Sequence, residues 1–91
     1  MTDKATILAE IDTIVGGNFK PWQIGLTNDP RVHKKQLKEV QKQDVTRWQQ
    51  WQADTLDEAK LIEGTFLKNG MQTGSGAPKV TDVFPTFVFI F

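Results

Sequence analysis

The chain has no cysteine, no tyrosine, no net charge and no long apolar run. Each absence removes a class of explanation. Without cysteine there is neither a disulfide framework nor thiolate chemistry, which is the pattern of a reducing cytoplasm. With 11 basic and 11 acidic residues, no overall field draws the chain to nucleic acid or membrane, so any such attraction must come from local clustering. No stretch approaches the ~18–20 apolar residues that span a bilayer, and the N-terminal region lacks the continuous apolar core of a signal peptide. Repeats and inter-domain linkers are missing too. At 91 residues the expectation is one cytoplasmic domain covering 1–91, with most apolar side chains in a single core.

What is present centres on Lys20–Arg31. Trp22, Ile24 and Leu26 alternate with Gln23, Gly25 and Thr27, the period of a strand. Asn28 or Asp29 then offers a capping oxygen, and Pro30 suits a first helical position, where a missing N–H costs nothing. Gly25 leaves room for another backbone or a ligand to come close.

On either side the pattern is helical. Thr2 or Asp3 can cap a helix over 3–15, in which Ile7, Leu8, Ile11, Ile14 and Val15 share one arc before Gly16-Gly17 ends it. A second helix is expected over 30–41. Arg31, Lys34, Lys35, Lys38 and Lys42 lie on one side of it, Val32, Leu37 and Val40 on the other, with His33 and Gln36 inside the apolar arc. The basic stripe is either a solvated face or a phosphate-facing one.

Residues 47–53 form a second strand candidate. Trp48 and Trp51, three apart, cannot point the same way in a regular strand, so both sheet faces are covered or one Trp lies outside it. An exposed Trp can stack on a base; a buried one belongs to the sheet. Thr55 and the following carboxylates start a third helix that runs to Lys68, with Leu56, Ala59, Ile62, Phe66 and Leu67 on its apolar arc. Glu63 falls inside that arc, where a carboxylate is costly unless bonded, paired or metal-bound. Residues 70–78 are a connector or flap that matches no phosphate-cradling signature. From Phe87 on every residue is apolar, as in a strand covered on both faces or one that leaves a face open to a partner.

The assembled expectation is an α/β (α+β) fold, a small three-stranded and mainly antiparallel sheet packed by about three helices. Within it, Gln23-Ile-Gly-Leu-Thr-Asn-Asp-Pro30 resembles the second half of the GIY-YIG nuclease signature, and Glu63, in Asp57-Glu-Ala-Lys-Leu-Ile-Glu-Gly64, resembles that family's metal-binding glutamate. The resemblance covers residues 20–70. It implies a GIY-YIG-like domain with an added N-terminal helix (1–17), in which the C-terminal segment (80–91) takes the place of the first motif strand by circular permutation.

It also implies a site made of Glu63, holding magnesium or manganese, His33 at the family's arginine position, Gln23 at its tyrosine position, and the neighbouring Trp22. Gln23 is no base, because an amide takes no proton near neutral pH; His33 titrates in that range. A retained metal carboxylate without the tyrosine implies a scaffold whose chemistry is lost or changed rather than an enzyme. The first function expected is therefore a degenerate nuclease binding DNA, RNA or an acidic partner through Arg31, Lys34, Lys35, Lys38 and Lys42. The alternatives are an interaction protein that homodimerises through its aromatic C-terminal strand, and an active metal-dependent endonuclease.

Overall fold

A strand with apolar residues on both faces needs cover on both, and the last strand of this chain imposes that condition. In the computed structural model, which describes residues 2–73, 80–81 and 83–91, the elements run α1 (Lys4–Val15), β1 (Gln23–Thr27), α2 (Pro30–Glu39), β2 (Gln49–Gln52), α3 (Leu56–Lys68), β3 (Gln72–Thr73) and β4 (Phe87–Ile90). The sheet order is β2-β4-β1-β3, so β4 lies inside the sheet, antiparallel to both β1 and β2, while β3 runs parallel to β1. The class is the α+β one expected. Four strands replace three, because the segment after Gly70 adds a short edge strand before leaving the described residues; the rest of the expected 70–78 connector lies outside them.

The two faces separate cleanly. Ile24 and Leu26 of β1 join Val88 and Ile90 of β4 beneath α1 (Ile7, Ile11, Val15) and α3 (Ala59, Ile62, Phe66). On the other side Phe89 and Phe91 pack with Leu37 of α2, Val45 and the half-buried Trp48. Burial of this apolar surface on both sides is the main source of stability, at about 25 cal/mol per Å² removed from water. The helix signals act where the sequence places them. Asp3 caps α1 by accepting from the Thr6 N–H, Asp29 caps α2 with Pro30 following, Thr55 caps α3, and Gly16 closes α1 in the left-handed conformation.

Three expectations are corrected. Trp22 precedes β1 rather than belonging to it. The buried positions of α2 are His33 and Leu37, one turn apart, whereas Val32 and Val40 are exposed. Val32 is about 100° round the helix from His33, and Val40 is the C-cap beyond the last helical residue, Glu39. Homodimerisation through the aromatic C-terminal strand finds no open edge: β4 is hydrogen-bonded on both sides, and Val88 to Phe91 are buried. Among the described residues no helix is long and apolar enough to cross a membrane.

Gly25 has a specific reason to be glycine. It lies opposite Phe89 in the β1–β4 register, and a Cβ built on it would stand 2.5 Å from Phe89 Cζ and 3.0 Å from Cε2. The close approach that the glycine permits is taken by a ring of the same sheet. That ring cannot swing aside, since His33 meets it edge-on at 4.8 Å and Trp48 stacks on it at 4.5 Å. Gly25→Ala should therefore cost about 1–3 kcal/mol of folding stability, the usual scale of overpacking. Denaturant unfolding measures it, and Phe89→Leu in the same chain should recover part of the loss.

Candidate functional site

His33, Glu63, Gln23 and Trp22 do not meet. His33 is on α2, over the Phe89 face. Glu63 is on α3, in the layer that covers Ile24, Leu26, Val88 and Ile90. The sheet lies between them. Gln23 alternates with Ile24 and so faces the Phe89–Phe91 side, while its backbone exchanges hydrogen bonds with Phe91 at 2.8 and 3.0 Å. Trp22 packs against the α1/α3 core, with the Arg47 guanidinium 4.0 Å above its ring and the same guanidinium donating to the Pro21 carbonyl at 2.9 Å.

His33 is a core residue. It is 2% exposed, and neither ring nitrogen has a hydrogen-bond partner among the described residues. Burial holds its pKa below the ordinary value of 6.5, so the ring is neutral where it packs against Phe89. An imidazole so enclosed reaches no substrate, and it occupies the place an apolar residue would fill.

Glu63 is half-buried at the edge of the α1/α3 core, and burial pushes its carboxyl above the ordinary value. Two of the tryptophans donate elsewhere: Trp51 Nε1 to Glu10 Oε2 at 2.6 Å and, on the other face of the sheet, Trp48 Nε1 to Gln50 Oε1 at 2.9 Å. Among the described residues no three His, Asp or Glu side chains gather to hold a metal ion. Glu63 would thus hold the divalent metal that the nuclease resemblance implies without such a cluster among the described residues, and no catalytic step is routed through it.

Two surface cavities lie outside these residues. One, of about 410 Å³, is lined by the stretch from Gln52 to Asp57 and by Phe84 to Thr86. The other, of about 350 Å³, lies between α1 and the β2 edge, with Glu10, Ile14 and Trp51 in its wall.

The basic stripe does form one surface. Arg31, Lys34, Lys35 and Lys38 are exposed on the side of α2 away from buried His33 and Leu37. Lys42, also exposed, lies beyond the helix, which ends at Glu39 rather than at the expected 41, and has a left-handed backbone with φ 56°. Charge is divided between the two layers. Residues 30–44 hold Arg31, Lys34, Lys35, Lys38 and Lys42 against Glu39 and Asp44. The helices on the opposite face, with their caps, hold Asp3, Glu10, Asp12, Asp57, Glu58 and Glu63 against Lys4, Lys60 and Lys68. A neutral chain thus presents a basic layer and an acidic layer, with the sheet between them as spacer.

Sequence reasoning missed the feature that adjoins this basic layer, a stack of Trp48 on Phe89 (4.5 Å, 10° between planes) and on Phe91 (5.9 Å, 23°). The only signal for it was that Trp48 stands directly before β2, with Phe89 and Phe91 two apart. Pairing between residues about forty apart had to be known to join them.

The two buried ionisable groups give opposite pH dependences. The neutral His33 ring contributes stability that is full above about pH 6.5 and is lost as pH falls toward its lower folded value. Glu63 has a raised folded pKa, so its contribution is full below about 4.5 and is lost as pH rises through the folded value. His33→Leu should flatten the loss of stability between about pH 7 and about pH 5 in denaturant titrations. Glu63→Gln should be more stable than the wild type at about pH 7, with the advantage gone near about pH 4.

No protein-family model, curated protein or solved structure matches this chain.

Proposed function

We propose that this chain is a nucleic-acid-binding module whose contact surface is the α2 layer, and that it binds without cleaving. The observation that carries this reading is the division of charge across the sheet: five exposed cations on α2 and its C-terminal extension, backed by a layer of opposite sign. Lys and Arg at that density neutralise phosphates and release counterions, which is the sequence-independent part of nucleic-acid affinity. The acidic layer repels the same polyanion and so orients the chain on it. Global neutrality is no obstacle, since the attraction acts within a Debye length of about 8–10 Å.

A binding role without hydrolysis fits the separation of Glu63 from His33 and Gln23, since phosphodiester cleavage needs its groups in one cleft. The pairing of β4 directly beside β1 supports the permuted GIY-YIG-like resemblance, because that is the place of a displaced first motif strand. On this reading the chain keeps the scaffold and uses a different surface of it.

Fluorescence anisotropy with labelled DNA and RNA tests the proposal. Binding should weaken steeply with salt, with a log–log slope of roughly −3.5 to −4.5 if about five phosphates are contacted. Lys34→Glu together with Lys38→Glu should abolish most of it, whereas Lys60→Glu on the opposite layer should leave it unchanged. Absence of binding at low salt, or an affinity insensitive to salt, would exclude phosphate-driven recognition.

A further inference from the structure

Trp48 differs from every other aromatic residue of the sheet in how it is held. One face of its indole lies on Phe89 at 4.5 Å, nearly parallel, and it also stacks on Phe91 at 5.9 Å. Its Nε1 donates to Gln50 Oε1 at 2.9 Å, which fixes the ring about its own axis. Phe89 and Phe91 are buried, but Trp48 is only half-buried. A ring whose inner face is covered can show solvent only its edge and outer face. The result is a flat, rigid aromatic surface already ordered before any partner arrives.

The surroundings have matching chemistry. By strand alternation Gln50 and Gln52 share the Trp48 side of β2, with Gln50 exposed, and Gln23 faces the same side next to Phe91. Amide side chains donate and accept, so they suit the edges of bases as well as each other. Leu37 of α2 packs in the same cluster as Trp48, so the helix that carries Lys34 and Lys38 on its outer side covers the same face of the sheet as the ring. The Arg47 guanidinium is turned away from this group, over Trp22 and onto the Pro21 carbonyl. The cations of α2, an aromatic plane for a base and amides for its edges therefore share one side of the sheet.

We propose that Trp48 is a base-stacking platform and that the polyanion bound by the α2 layer is a single-stranded nucleic acid. This rests on the α2 layer being a nucleic-acid surface. A duplex keeps its base faces stacked inside, so it can use the cations but not the indole. A single strand uses both, and stacking on an aromatic side chain is worth enough to be seen as a fold-change in affinity.

The experiment is a set of titrations of the full chain at low salt with labelled oligothymidylate, a duplex of equal length and inorganic polyphosphate. The expected result is tighter binding of the single strand than of the duplex. Trp48→Leu, which keeps apolar cover over Phe89, should weaken the single strand roughly tenfold and leave polyphosphate unchanged, while Trp48→Phe should keep most of the affinity.

Should Trp48→Leu fail to fold, a chain with Trp22→Phe and Trp51→Phe leaves Trp48 as the sole indole. Its emission should then be quenched when oligothymidylate saturates the protein. Duplex binding as tight as the single strand, Trp48→Leu binding at the wild-type level, or unquenched Trp48 emission would each overturn the proposal and leave the α2 surface intact as a polyanion site. If none of the three probes binds at low salt, the nucleic-acid reading itself fails.

Discussion

The contact between Phe89 and the backbone of Gly25 is the constraint on which the rest of the structure depends. β4 is apolar on both faces, so it has to be central, and its Phe89 ring needs space over the neighbouring strand. Only a residue without a Cβ provides it there. Once the ring lies over Gly25, His33 closes its edge and Trp48 its face, and α2 is drawn down onto that side of the sheet. The opposite face, with Val88 and Ile90, recruits α1 and α3 in the same way. A sheet covered on both faces follows from one strand that cannot tolerate water on either.

That two-sided arrangement also decides the electrostatics. The covering helices are amphipathic, so each turns its charged side outward, and because α2 is rich in lysine while α1 and α3 are rich in carboxylates, the outer surfaces differ in sign. Net charge hides this, since the sum over the chain is zero. The basic layer owes its existence to the sheet standing between it and the acids. Had α2 packed beside α3, the same residues would have offset one another as surface pairs, each worth little.

The residues that looked most chemical in the sequence turn out to be the ones least able to act. His33 fills a hydrophobic position and is held neutral by burial. Glu63 sits half-covered on the far layer, with its carboxyl destabilised as an anion. A titratable group in an apolar arc signals either a site or a tolerated cost, and the distinction lies in whether a second group faces it. Here the sheet separates the two. Exposed lysines and the half-buried Trp48 lie instead on the α2 side of the sheet.

Local rules fixed a good deal of this from the residues alone. The caps, narrowed to Thr2 or Asp3, to Asn28 or Asp29 and to Thr55, the stop at Gly16 and the room that Gly25 leaves are short-range signals, and each was legible without coordinates. So was the basic stripe, because helical periodicity places Arg31, Lys34, Lys35 and Lys38 together whatever the fold. The structure chose Asp3 and Asp29 as the caps and showed the last strand covered on both faces. Only the tertiary structure decided which helix covers which face, that β4 runs between β1 and β2, and that a two-residue strand at Gln72–Thr73 extends the sheet. Those facts come from pairings between distant segments, which no window of sequence contains. They are what part Glu63 from His33 and what set Trp48 against Phe89. Local propensity names the pieces; the order of strands in one sheet assigns their neighbours.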